Sequence, residues 1–254
     1  MREREHEPPE SSVVLERIVS TGASMSAGFG VGTTFAHALE SALVSTQGIA
    51  TAGELFFFRD PERIGEKLVT DTLTQNPTLV FGLDFPFWFG YGNVAGRGNE
   101  TELRLVRLEH GLALLDRMKC TLVVGDFPDM KSAIGQMLRA SQVPSKRALL
   151  ALNARLYDWA EKRRNVYVLS MRDHRESLRA VPEGGIRAGR VSIPEDAELL
   201  LGDQLHPSIE GQAALALLSL DLLIECGVVR EDEVRFDFEQ VTERLDAQKA
   251  RLFR

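Results

Sequence analysis

Short apolar runs alternate along the chain with longer stretches in which leucine returns every three or four positions. The runs VVLERIVSTG (13–22), LVFGL (79–83), TLVVG (121–125) and VYVLS (166–170) predict strands. The first three carry a glycine at or near the end, and the first is rich in β-branched residues. The later three are apolar without clean alternation, as expected of strands covered on both faces. Helical spacing fills the gaps. A helix-like stretch covers 34–43, and another opens at Asn99, where Glu102 can complete a box-like cap. Leu105, Leu108, Leu112 and Leu115 then form one apolar face. A helix over 146–162 buries Leu149, Leu152 and Leu156 in the same way. The stretch 207–226 is apolar nearly all round and predicts a well-buried helix, with Pro207 at its first position. Phe238, Val241 and Leu245 share one face of a terminal helix packed on the outside. Strand, loop and helix in repetition predict one α/β domain over 13–254 with a mostly parallel sheet.

The segment before it, MREREHEPPESS (1–12), is charged, lacks an apolar core and reads as a disordered tail. With no secretion signal in the chain, a cytoplasmic location is the default expectation. Composition narrows the partners. At 254 residues, 44% hydrophobic and 26% charged, the chain has the make-up of a globular domain. Its formal charge of −7, with no long basic run, argues against a nucleic-acid partner, because phosphate binding works through basic surfaces that release counterions. No apolar run reaches the ~18 residues of a membrane span. Cys120 and Cys226 fit no metal or redox spacing and are expected to be buried thiols. His37, His110 and His174 show no ligand spacing, and the cluster Arg172 to Arg175 reads as a solvated loop. Neither a metal nor a cofactor is expected.

Chemistry is expected where strands of an open parallel sheet end. The first such place holds GASMSAGFG (22–30), with Ser24 between a strand and a helix. Ser24 is either a reactive hydroxyl served by nearby backbone N–H groups or a helix cap. The glycines Gly28, Gly30 and Gly32 invite a nucleotide-binding reading, but Thr33 or Phe35 stands where the last glycine of G-x-G-x-x-G belongs, and there is no Walker lysine. Near the other end, GDQLHPS (202–208) puts Asp203 three residues before His206. A residue before proline avoids helical geometry, so His206 should sit on an extended loop. There Asp203 can reach one ring nitrogen while the other faces a serine.

Together these blocks resemble the first and last motifs of the SGNH (GDSL-like) hydrolases, G-D-S-x-S/T-x-G and D-x-x-H-P, in the right chain order. LNARLYDWAEKRRNVYVLSM (152–171) is similar to the family's penultimate helix and strand, so the resemblance spans about residues 13–225. It implies a flavodoxin-like three-layer sandwich and ester hydrolysis on a small-molecule or acylated substrate. Ser24 would be the nucleophile, His206 the base and Asp203 the residue that orients it. TAGE (51–54) resembles the second block, making Gly53 either an oxyanion donor or a plain turn glycine. In the third block, normally G-x-N-D, GLDF (82–85) places Asp84 where the donor asparagine belongs. An ionised carboxylate only accepts hydrogen bonds, and losing one oxyanion donor costs on the order of 10²–10³ in turnover. Either Asp84 is protonated, or it points elsewhere, or Asn93 fills in. Ala23 replaces the usual aspartate of the first block. A binding module of the same fold with a defective oxyanion hole is the rival expectation. The aromatics Phe56, Phe57, Phe58 and FPFWFGYG (85–92) are either core packing or an acyl-binding wall.

Overall fold

The computed structural model describes residues 12–46, 48–96, 98–172 and 181–252. The tail expected over 1–12 lies outside the described residues except for Ser12, whose N–H and hydroxyl both donate to the Glu233 carboxylate. Asp173, His174 and Arg175 also lie outside them.

Five strands form one parallel sheet: β1 (Ile18–Gly22), β2 (Ile49–Gly53), β3 (Leu79–Gly82), β4 (Thr121–Gly125) and β5 (Val166–Leu169), in the order β2-β1-β3-β4-β5. Among the described residues, seven helices accompany it: α1 (Phe35–Ala42), α2 (Pro61–Thr74), the single turn α3 (Phe87–Gly90), α4 (Glu100–Leu115), α5 (Lys146–Glu161), α6 (Ile209–Glu225) and α7 (Phe238–Leu252). A small antiparallel pair, β6 (Ile186–Ala188) and β7 (Val191–Ile193), precedes α6.

Successive strand residues serve opposite cores. Leu79 and Phe81 pack with Phe35 and Leu39 of α1, Leu217 of α6 and Val241 of α7. Val80, between them, packs with Leu68 of α2, Leu112 of α4 and Leu152 of α5. Both faces are therefore dry, which is why β3 and β4 read as unbroken apolar runs. The result is the three-layer α/β sandwich the sequence predicts.

The structure corrects several local expectations. The run 13–22 is strand only from Ile18, because Val13–Leu15 form a 3-10 turn closed by Leu15 N–H on the Ser12 carbonyl. Pro207 stays outside α6, extended in a bridge with Leu200, and Ser208 caps the helix by accepting from Gly211 N–H at 3.0 Å. Cys120 is half-buried and Cys226 exposed, since Cys226 sits at the solvent end of α6. Strand β2, helix α2 and the β6–β7 pair are additions that the hydrophobic pattern did not announce.

Candidate active site

The sheet order reverses direction between β1 and β3: the chain leaves β1 for β2 on one side and returns to β3 on the other. A crevice opens at the carboxyl ends of strands at such a switch point. The loop after β1 brings Ser24 there, and the loop after β3 brings Asp84. Gly22 makes the meeting possible. Its φ is +154°, and a Cβ on it would lie 2.0 Å from Asp84 Oδ1, so a side chain there would displace the carboxylate. Beyond Ser24 the backbone coils tightly, with Ala27 N–H on the Ala23 carbonyl and Phe29 N–H on the Ser24 carbonyl. Helix α1 begins only at Phe35 and is capped by Thr34, whose N–H donates to His37 Nδ1 at 3.0 Å. Ser24 is therefore not the cap of α1.

The loop before α6 closes on the same spot. Leu201 N–H donates to the His206 carbonyl at 2.9 Å and Gln204 N–H to the Leu201 carbonyl at 3.0 Å, with Gln204 at φ +58°. This tight loop folds Asp203 under His206. Asp203 Oδ1 accepts from Leu205 N–H (2.9 Å) and His206 N–H (3.0 Å), and Oδ2 lies 2.7 Å from His206 Nδ1. Burial opposes ionisation of Asp203, but the hydrogen bonds from the His206 backbone, its ring and Leu205 outweigh it and hold the carboxyl below the usual range. On the other side of the ring, His206 Nε2 lies 2.9 Å from Ser24 Oγ. With Nδ1–H donating to the carboxylate, Nε2 is free to accept the Ser24 hydroxyl proton. The Phe29 ring lies 4.3 Å from the imidazole, centroid to centroid, and His206 is only 4% exposed. Ser24, Asp203 and His206 thus meet, 182 residues of chain separating the first from the last.

The three oxyanion candidates part company. Asp84 Oδ2 accepts from Met25 N–H (2.9 Å) and Ser26 N–H (3.2 Å), and Oδ1 accepts from the Ser26 hydroxyl at 2.6 Å. Burial raises its pKa, against the pull of those hydrogen bonds. The carboxylate therefore buttresses the loop that carries Ser24. Gly53 ends β2 opposite Gly22, and a Cβ on it would lie 2.6 Å from Ala27 N, so its glycine character serves the close approach of that same loop. It lines neither cavity beside Ser24. Asn93 lines the larger cavity together with Ser24 and His206, and its Oδ1 accepts from the Ser141 hydroxyl at 2.8 Å. That bond commits the amide oxygen and leaves its N–H₂ for another acceptor.

Two cavities flank the Ser24–His206 pair. One, about 80 Å³, is walled by Leu83, Phe87, Met130, Met171, Leu199 and Leu215, and it also touches Asp84 and Asp126. The other is an open cleft of about 700 Å³. The aromatic segments divide between core and cleft. Phe57, Phe85 and Phe89 are fully buried against one another, whereas Phe56, Phe58 and Trp88 line the cleft. Trp88 is nonetheless 93% buried, since only 7% of it is exposed. Sequence reasoning passed over Asp126, which follows β4 at its carboxyl end. This buried carboxylate accepts from Arg172 N–H at 2.7 Å and from the Tyr157 hydroxyl at 3.1 Å. Its position just after Gly125 was the available signal. Sequence reasoning also passed over three cleft arginines, Arg59, Arg107 and Arg139, which come from separate segments with no shared motif. Among the described residues, no group of three or more His, Cys, Asp or Glu could hold a metal ion, and no helix is long and apolar enough to cross a membrane.

No family model matches the sequence, and no curated protein matches it. Solved structures do. A gut microbial diltiazem-metabolizing enzyme superposes with a TM-score of 0.53 at 13% identity over 84% of this chain, which spans only 47% of that longer one. A protein from Parabacteroides merdae that carries the name GDSL-like lipase superposes with a TM-score of 0.52 at 14% identity, covering 85% of this chain and 99% of its own. The chain has the α/β fold of the GDSL-like hydrolases.

Proposed function

We propose that this protein is a serine hydrolase that cleaves carboxylic esters through an acyl-enzyme on Ser24. The observation that carries the reading is the continuous hydrogen-bonded chain from Asp203 Oδ2 to His206 Nδ1 (2.7 Å) and from His206 Nε2 to Ser24 Oγ (2.9 Å), which puts Nε2 within reach of the hydroxyl proton. In the first step Ser24 Oγ bonds to the ester carbonyl carbon while His206 Nε2 takes the hydroxyl proton. The tetrahedral intermediate collapses, the C–O bond to the alcohol breaks, and His206 returns the proton to the departing oxygen. Water then attacks the acyl-serine with His206 again as base, releasing the acid and restoring Ser24. Asp203 holds the ring in one orientation and stabilises its positive form. The Ser24 amide and the Asn93 side chain are the proposed donors to the oxyanion. Gly53 stands as a support of the loop, and Asp84 as the buttress that fixes where the Ser24 amide lies.

A fluorophosphonate probe tests the reading directly. It should label the wild-type protein and leave Ser24→Ala unlabelled, and turnover of 4-nitrophenyl acetate should fall at least about 10³-fold in Ser24→Ala and His206→Ala. Undiminished turnover in Ser24→Ala would overturn it. A second reading, a non-catalytic binding module of the same fold, draws on Asp84, a carboxylate where the resemblance calls for a donor. Absence of labelling in the folded wild-type protein would favour that one.

A further inference from the structure

The cleft beside Ser24 is unusual in its charge. The chain as a whole is acidic, at −7, and many of its arginines are neutralised: Arg17, Arg63, Arg104, Arg117, Arg155 and Arg163 each pair with a carboxylate. Arg59, Arg107 and Arg139 all line the cleft, and among the described residues none of them has a carboxylate within ion-pair distance. Among the described residues, no aspartate or glutamate lines the cleft. Three guanidinium groups in one cleft, none of them ion-paired among the described residues, repel one another, which is costly unless an anion joins them.

Two of the three are held in place. Arg107, half-buried, donates to the Trp88 carbonyl at 2.7 Å and to the Asn93 carbonyl at 3.0 Å. Burial and the positive charge of Arg104 both lower its pKa, and Glu62, itself bonded to His110, offsets this only in part. Arg59 lies over the Phe56 ring, 4.4 Å from its centroid, with Phe58 at 6.0 Å. Apolar surface is arranged around them: Phe29, Leu55, Phe56, Phe58 and Met137 are all large, exposed and in the same cleft. Exposed apolar groups grouped in this way mark a binding surface.

We infer that this cleft binds an anionic group of the ester substrate, carried on an aromatic or other apolar scaffold that packs between the arginines and Ser24. The small cavity on the other side of Ser24, at about 80 Å³, takes a short acyl chain, so the anion belongs to the alcohol half of the ester. Planar, bidentate recognition by guanidinium suits a carboxylate, sulfate or phosphate. The inference rests on the esterase reading for the bond that is cut, and on the cleft alone for what is bound.

The test separates the two. The ratio of kcat/KM for 4-acetoxybenzoate to that for phenyl acetate should fall at least about tenfold in the double variant Arg59→Gln/Arg139→Gln, the scale of lost charge-assisted hydrogen bonds. Arg107→Gln should lower the same ratio. The Ser24→Ala protein, which needs no turnover, should be stabilised in thermal unfolding by 4-acetoxybenzoate and by phenyl phosphate more than by phenyl acetate, and 0.5 M salt, roughly a Debye length of a few ångströms, should weaken the effect. If the wild type turns over no ester while this stabilisation persists, the esterase reading fails and the anion site stands. A ratio unchanged by the substitutions, with equal stabilisation by charged and neutral probes, overturns the anion site. Stabilisation by inorganic phosphate as strong as by phenyl phosphate overturns the apolar scaffold. Cosedimentation with anionic lipid vesicles, lost on the same substitutions and without response to the small probes, overturns the inference in favour of a lipid surface.

Discussion

Asp84 accepts three hydrogen bonds from the loop that carries Ser24, and the consequences differ sharply between two substitutions. Asp84→Ala orphans two N–H groups and a hydroxyl in a dry site, each worth about 1–3 kcal/mol. It should destabilise the protein by several kcal/mol in urea unfolding. Asp84→Asn keeps an acceptor for the Met25 and Ser26 amides and offers N–H₂ to the Ser26 hydroxyl, so most of that loss should be recovered. Asp203 is the complementary case. Its proposed role is orientation rather than proton transfer, so Asp203→Asn should leave the fold intact while lowering kcat by about 10⁴, the scale seen when a triad base is left in the wrong tautomer. Steady-state kinetics on 4-nitrophenyl acetate, with a circular dichroism control, checks both parts.

Among the elements, β2 and the loop after β1 depend on one contact. Gly53 ends β2 against the Ser26–Ala27 backbone, where a Cβ would sit 2.6–2.8 Å from main-chain atoms that cannot move independently. Gly53→Ala should therefore shift the Ser24 loop, and a misplacement of about 1 Å near reacting atoms costs on the order of 10²-fold. The expected outcome is a probe-labelling rate lowered by at least about tenfold, with a smaller effect on unfolding than Asp84→Ala. Helix α6 offers a second case, on the His206 side of the site. Ser208 caps it, and Ser208→Ala should cost about 1 kcal/mol of stability. Because the cap also fixes where α6 begins after His206, turnover should fall modestly alongside.

For the whole molecule, acid stability is set by carboxyls pulled in opposite directions. Asp203, Glu100 and Glu233 are each resisted by burial but lowered on balance by hydrogen bonds and nearby positive charge. Their contributions are present above the unfolded values of 3.8 and 4.5 and are lost as pH falls through the lower folded values. Asp84 is raised by burial, so its contribution is present below 3.8 and lost as pH rises through the folded value. The free energy of unfolding should thus fall from pH 6 towards pH 3. Asp203→Asn should flatten that fall and Asp84→Asn should steepen it, as urea titrations across the range would record.

The sequence by itself determined four of the five strands of the sheet and most of its helices, because burial on both faces leaves continuous apolar runs and one-sided burial leaves leucines at helical spacing. It also supplied the ordered blocks holding Ser24, Asp203 and His206, since each needs a local loop geometry that small residues and proline make legible. Helix α2 stayed hidden because most of its surface faces water, and β2 because its residues are only partly buried. The tertiary structure alone decided what Asp84 does. A carboxylate reads as a failed oxyanion donor in a linear motif, and becomes a buttress only when Gly22 lets it reach the Met25 and Ser26 amides. It alone also assembled the arginine-lined cleft, since Arg59, Arg107 and Arg139 come from three distant segments and share an electrostatic field only once the chain has folded.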